Sequence, residues 1–467
     1  MEGTTFNVIM MPGPHPTKQS HHHHHYQLYS QRWLVLVAFS TLSINSAWIW
    51  ITWSPMADEV SRFWGVTEGE VDALSAVYMF IYVLGSFPSI WLVVNVIGLA
   101  RGLWVASILN VIGALIRFIG MNHYKSVYWG TLFCALAQTF TLATPPLIAG
   151  NWFGAYERAT ATALGVLANQ FGTALGLGST IIFDLIVVPS EENGKEKSFL
   201  NLSRVHSYLG TQLLFACIAL CMVFIFVTAD GPLTPPSSAA ASKIVSIEEE
   251  REMIIQSANK SSAHPRKVTS LSYLESVHVT VNQTPCFVLL YGIAVRVFYT
   301  IPAFLSQLVP SWSPGSRGWL GVSYQLAGVM GSFISGRVID VYQHHQQVST
   351  ILLAGSVALL AAFTWALIFE GGLPTWTFVA SSGVGFCLAA FNTVGFELGT
   401  AMTYPADEAA VAGILECAAE LAGFVLVTLG GQLKTMDYNF ILFQLLAVFS
   451  SLSLMMVMKA KSTRPTD

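Results

Sequence analysis

Four ionisable residues interrupt otherwise apolar runs in the C-terminal half of the chain: Arg296, Glu397, Glu416 and Glu420. Held at the centre of a bilayer, each would cost about 2.5–3.5 kcal/mol, so such positions need a partner or a task. Glu416 and Glu420 are four residues apart and share one face of a helix. Two carboxylates so placed repel each other, and pairing with Arg296 would relieve the repulsion. Two chemistries follow. Arg296 and one Glu form a buried ion pair, or one carboxylate takes up a cationic substrate or a proton while Arg296 modulates it. Arg337 and Asp340, at the end of another apolar run, suit a gating salt bridge. Arg117 lies near the end of a third, where its side chain is expected to snorkel to the interface.

Other chemistry is missing from the text of the chain. No GxxxxGK loop marks nucleotide-driven work, and neither a Ser/His/Asp arrangement nor HExxH occurs, so an enzyme is not expected. No cofactor or metal site is expected either. The run His21–His25, with His15 before it, has metal-chelating composition but equally reads as low-complexity sequence. His344 and His345 read as solvated loop residues.

The elements that must carry these residues follow from composition. Of 467 residues 53% are hydrophobic and 10% are charged, with a net charge of −4. A soluble globular domain carries about 25% charged residues, so the composition excludes one. It also lacks the basic stripe of a nucleic-acid binder. Cys134, Cys217, Cys221, Cys286, Cys387 and Cys417 lie in or beside apolar runs and read as small buried hydrophobes. No apolar core precedes Trp33, so the first span is expected to serve as its own insertion signal.

A helix needs about 20 apolar residues to cross a bilayer. Twelve runs qualify: 33–54, 72–97, 102–120, 126–151, 159–187, 207–228, 284–310, 318–341, 349–369, 374–402, 408–432 and 438–458. The fold class expected is an all-α membrane protein of twelve spans. Two polar stretches break the series, 190–207 and 230–282, and the second divides it six and six. The organisation is then a disordered cytosolic tail (1–32), an N-terminal six-helix bundle (33–228), a cytosolic linker (229–283), a C-terminal bundle (284–458) and a cytosolic tail (459–467). Within the linker, Ile244 to Ser257 has the pattern of a short amphipathic helix. Lys and Arg outnumber their opposite-side counterparts on the side of the termini and linker, which places both termini in the cytosol. The sequon Asn201-Leu-Ser falls outside. The protein is expected as a monomer in a lipid bilayer, of the plasma membrane or an endomembrane, with a small-molecule substrate and no nucleic acid.

The halves repeat. Gly85-Ser86-Phe87-x-Ser89 recurs as Gly331-Ser332-Phe333-x-Ser335, Trp50 aligns with Tyr299, and Glu157 to Gln170 overlays Asp407 to Glu420. A substrate site in a pseudo-symmetric pair of bundles lies near mid-membrane where the halves meet. The repeat therefore selects Trp50, Gln170, Tyr299 and Glu420. The rings read alternatively as ordinary helix packing, and Gln170 as a helix–helix hydrogen-bond partner.

The layout resembles the major facilitator superfamily. Its loop signature between spans two and three is degenerate here as Asn95-Val-Ile-Gly98-Leu-Ala-Arg101, while the second half keeps Gly336-Arg-Val-Ile-Asp340. More narrowly, the chain resembles the solute carrier 49 (FLVCR-type) family, closest to its third branch. The resemblance rests on Trp50-Ile-Thr-Trp-Ser54, Leu74-Ser-Ala-Val-Tyr78, Cys134-Ala-Leu-Ala-Gln138, Asn169-Gln170-Phe-Gly172, Val297-Phe-Tyr299, Gly395-Phe-Glu397-Leu and Tyr404-Pro-x-x-Glu408. It implies a secondary transporter working by alternating access, with a choline- or ethanolamine-like amine as substrate. The family's choline site uses an aromatic pair from spans one and seven with glutamines from spans five and eleven. Those positions are Trp50, Tyr299 and Gln170, with Glu420 in place of the second glutamine, and Ser46 and Glu397 complete the expected lining. Arg296 has no counterpart in that pattern. The alternatives are a haem or organic-anion carrier using Arg296, and a non-transporting sensor or receptor on the same scaffold.

Overall fold

The computed structural model describes residues 27–154, 157–186, 202–236, 273–342, 344–368, 374–403, 406, 408–432 and 437–458. The His21–His25 run, the asparagine of the sequon, the segment 244–257 and the residues from 459 onward lie outside the described residues. Twelve principal helices order the chain: α1 (Gln31–Ile51), α2 (Glu68–Leu92), α3 (Leu99–Ile119), α4 (Tyr124–Gln138), α5 (Arg158–Leu177), α6 (Leu202–Phe226), α7 (Pro285–Ala303), α8 (Pro314–Tyr342), α9 (His345–Ile368), α10 (Pro374–Thr403), α11 (Glu408–Gln432) and α12 (Asp437–Val457). Among the described residues, α1, α2, α3, α6, α7, α9, α10 and α11 are long and apolar enough to cross a membrane. Of the rest, α4 is interrupted, α5 and α8 are rich in glycine and polar residues, and α12 is apolar over Leu442–Val457.

Helices α1 to α6 pack on one another, as do α7 to α12, and the two groups meet chiefly through α2 against α11 and α5 against α8. Three expected spans break inside their apolar runs, the run 159–187 dividing at Gly178 into Arg158–Leu177 and Ser179–Ile186. The run 126–151 breaks after Gln138 and resumes as a short helix, Pro145–Trp152. Pro145 and Pro146 have no N–H to donate, so the helix cannot continue through them. Within the irregular stretch before them, the hydroxyls of Thr139 and Thr144 donate to the carbonyls of Leu136 and Phe140, at 2.8 and 2.6 Å. The run 284–310 ends at Ala303, followed by a single turn, Leu305–Leu308. Pro302 lies in the last turn of α7 and leaves the carbonyl of Phe298 without its helical donor. The Tyr324 hydroxyl, from α8, donates to that carbonyl at 2.9 Å.

Local signals explain the other ends. Helix α2 starts with a capping box: Thr67 Oγ1 accepts from the Glu70 amide, and Glu70 Oε2 accepts from the Thr67 amide. Its far end passes through a π turn, Val93–Ile97, to Gly98 at φ +84°. Glycine is required there twice over, by that left-handed φ and by Asp230, whose carboxylate a Cβ would overlap. Asp230 Oδ1 accepts the Ala100 amide at 2.8 Å at the start of α3. The degenerate loop 95–101 lacks its own acid, and an aspartate from beyond α6 supplies the negative charge at that helix N-terminus.

Across the bundles, at the end carrying the α1–α2 and α7–α8 connections, Ser54 Oγ donates to the Pro302 carbonyl. Gln307 Nε2 donates to Asp72 Oδ2 at 2.9 Å, and Arg317 Nη1 to Asp58 Oδ1 at 2.7 Å. These bonds close that end of the molecule.

Arg117 departs from expectation. It is 1% exposed rather than at the interface, with Nη1 donating to Gln212 Oε1 at 3.3 Å and Cζ 5.9 Å from the centre of the Trp53 ring. The face of α3 that carries it packs into the N-terminal bundle, against α4 and α6, instead of lipid. Gln212 in turn donates to Thr52 at 2.8 Å, so one nitrogen of the guanidinium joins a buried polar chain, while Nε and Nη2 have no hydrogen-bond partner among the described residues.

Candidate substrate-binding site

Trp50 sits one residue before the end of α1 and is buried. Its Nε1 donates to the Ser75 carbonyl and Ser75 Oγ donates to the Trp50 carbonyl, both at 3.2 Å, so α2 fixes the indole reciprocally. From the opposite bundle, Tyr299 of α7 meets it edge to face, with ring centres 5.7 Å apart and planes at 69°. Gln170 of α5 donates from Nε2 to the Tyr299 hydroxyl at 3.2 Å. Its Oε1 accepts from Gln325 of α8. One chain of contacts therefore links α1, α7, α5 and α8 across the interface of the halves.

Arg296 lies one turn before Tyr299 on α7 and is 1% exposed. Its Cζ stands 5.5 Å from the centre of the Trp50 ring and 5.4 Å from that of Tyr299. Nη1 pairs with Glu420 Oε2 of α11 at 3.1 Å. The guanidinium reaches α11 across Gly423, where a Cβ would overlap Nε. Glu416, one turn before Glu420, is partly buried and in electrostatic contact with Arg296 and Tyr299. Ser46 is one turn before Trp50, buried, and its hydroxyl has no hydrogen-bond partner among the described residues. The adjacent Asn45 is 0% exposed with its whole amide unpaired.

The structure thus brings together Trp50, Gln170, Tyr299, Arg296 and Glu420, with Glu416 beside them. It leaves Glu397 outside this buried group: that residue is exposed on α10. The positions of α10 turned to α7 are Phe391, Asn392 and Phe396, which meet Tyr291, and the Tyr291 hydroxyl donates to Asn392 Oδ1 at 2.5 Å. Arg337 is exposed, with its guanidinium 5.9 Å from the centre of the Phe333 ring. The Asp340 side chain lies outside the described residues. Among the described residues no group of three or more His, Cys, Asp or Glu could hold a metal ion.

Gln325 and Gly423 escape a reading of the sequence. Gln325 is as conspicuous in its apolar run as Gln170, but the repeat gives it no polar counterpart. A glycine in a glycine-rich helix carries no sign that an arginine from another helix crosses it.

No family model matches the chain. A choline/ethanolamine transporter FLVCR1 from Felis catus is 30% identical over 421 residues, covering 88% of this chain and 69% of that protein. Choline/ethanolamine transporter flvcr2a from Danio rerio is 30% identical over 419 residues, covering 87% and 81%. The chain belongs to the FLVCR family. An uncharacterised MFS-type transporter from Caenorhabditis elegans is 29% identical over 413 residues, covering 87% of this chain and 65% of that protein. Among solved structures, a D-xylose–proton symporter superposes with a TM-score of 0.64 at 10% identity, covering 91% of this chain and 97% of that one. The transporter FucP in its outward conformation gives 0.58 at 12%, covering 91% and 99%. The fold of this FLVCR-family chain is accordingly that of the major facilitator superfamily, and it is a multi-pass membrane protein.

Proposed function

We propose that the chain is a secondary transporter that moves a choline- or ethanolamine-like amine by alternating access. The observation that carries this reading is the contact of Trp50 with Tyr299, one ring from each bundle, with a carboxylate at Glu420 beside them. A quaternary ammonium offers no N–H to donate, so its recognition rests on ring faces, each worth about 2 kcal/mol or more once desolvated. Because the rings belong to different bundles, rocking of the halves makes and breaks the cage. Gln170 orients the phenol, and the unpaired Ser46 hydroxyl and Asn45 amide supply polar groups one turn away for an alcohol such as that of choline or ethanolamine. The names of the Felis catus and Danio rerio relatives point to the same substrate class.

In this reading the termini and the linker are cytosolic, the end closed by Arg317 and Asp58 is extracellular, and the carrier is a monomer of the plasma membrane. Arg337 and Asp340 serve the cytosolic gate. An organic-anion carrier is disfavoured because the carboxylates of Glu420 and Glu416 flank Arg296 and would repel an anion. Haem would need His or Met ligands facing a large cavity, and the described side-chain contacts of Trp50 and Tyr299 include neither residue type.

The test is uptake of labelled choline and ethanolamine by proteoliposomes. Trp50→Ala and Tyr299→Ala are each expected to lower uptake at least tenfold. Uptake unchanged by both would overturn the assignment.

A further inference from the structure

The aromatic pair already holds a cation. Trp50, Tyr299 and the Arg296 guanidinium stand at 5.7, 5.5 and 5.4 Å from one another, a near-equilateral triangle within cation–π range. The carboxylate of Glu420 is 3.1 Å from the same guanidinium. Everything an incoming amine would bind, two rings and an anion, is occupied by a side chain of the protein itself.

The arrangement is built but incomplete. Gly423 leaves the notch through which Arg296 reaches α11. Yet Nε and Nη2, both buried, have no hydrogen-bond partner among the described residues. A second carboxylate stands within reach: Glu416 lies one turn from Glu420 on the same face of α11. Two cations cannot share the cage, since like charges in a weakly screened interior repel strongly at that distance.

We infer that Arg296 is a tethered competitor for the substrate cation and so the specificity-determining residue of the site, an inference that rests on the amine-transport reading. The amine enters by displacing the guanidinium from Trp50 and Tyr299 and taking over Glu420, while Arg296 passes to Glu416. Return of Arg296 to Glu420 ejects the amine. Cations that engage the rings no better than a guanidinium are excluded, and the affinity measured for any amine is lowered by the fraction of time Arg296 fills the cage.

Equilibrium binding of labelled choline and ethanolamine to the full-length protein in lipid nanodiscs tests this. Arg296→Gln is expected to bind choline at least tenfold more tightly than the unmodified protein, and to transport it more slowly. The double variant Arg296→Gln/Glu420→Gln, which leaves no unpaired buried charge should the single one fail to fold, is expected to bind choline more tightly than Glu420→Gln, in which the guanidinium still fills the cage. Methylguanidine at millimolar concentration is expected to weaken choline binding to Arg296→Gln, standing in for the lost side chain. If the unmodified protein binds choline but Arg296→Gln binds it no more tightly, or the double variant no more tightly than Glu420→Gln, the competitor role is wrong and amine transport stands. If none of the folded proteins binds either amine, amine transport itself is wrong and the inference falls with it.

Discussion

Arg317 Nη1 and Asp58 Oδ1 meet at 2.7 Å across the two bundles, and the arginine is buried while the aspartate is partly exposed. Arg317 also donates from Nη2 to the Pro310 carbonyl at 2.7 Å and from Nε to the Val309 carbonyl at 3.2 Å. The loop after α7 thus holds the guanidinium in place, and the helix Ala57–Trp64 brings the carboxylate to it. A charge-assisted bond of this kind is worth about 1.5–3 kcal/mol. Asp58→Asn is therefore expected to shift the closed end toward opening by about tenfold or more. Maleimide labelling of a cysteine placed at buried Ser306, in a background without reactive thiols, should accelerate accordingly; an unchanged rate would show that this pair does not latch the end.

Tyr299→Phe separates the ring from its hydroxyl. The cage face is retained, but Gln170 loses the acceptor at 3.2 Å that orients the phenol. A neutral hydrogen bond contributes about 0.5–1.5 kcal/mol, so the KM for choline should rise roughly 2- to 12-fold with little change in kcat. A collapse as deep as that of Tyr299→Ala would mean that the hydroxyl, not the ring, carries recognition.

Tyr324→Phe addresses the proline in α7. The Phe298 carbonyl, freed by Pro302, would lose the hydroxyl donor of Tyr324 and be left buried, at a cost of about 1–3 kcal/mol. Thermal melts in detergent should show the loss. Adding Pro302→Ala restores an amide able to bond back to Phe298, so the double variant should recover part of it, and a purely additive result would refute the coupling.

Asp230→Ala removes the cap that reaches α3 from the far side of α6. Loss of a side-chain cap costs about 0.5–2 kcal/mol. Gly98→Ala should cost more, because it adds left-handed strain to a clash with the same carboxylate. Melting temperatures ranked in the reverse order would contradict this account of the loop.

Much of the fold is legible in residue order. Apolar run length gives the helices, and Thr67 with Glu70, Pro145 with Pro146, and Gly98 mark ends and breaks by chemistry confined to a few neighbours. The breaks inside the runs 126–151 and 284–310 carried their signals, prolines, but hydropathy averages over them. The candidate site was legible where the two halves repeat: Trp50 aligns with Tyr299 and Gln170 with Glu420, and a duplicated bundle turns equivalent positions toward the same axis.

What order alone determined is which side chains are too polar, or too well matched between the halves, to face lipid. Where they point is a different matter. Whether Arg117 snorkels or enters the bundle depends on which face of α3 packs against α4 and α6. Whether Glu397 joins Glu420 depends on how α10 is rotated about its axis. That Arg296 fills the aromatic cage depends on a glycine of another helix, more than a hundred residues away in the chain. These are outcomes of three-dimensional packing, because a helix presents every direction within one turn and only its neighbours decide which of them is buried.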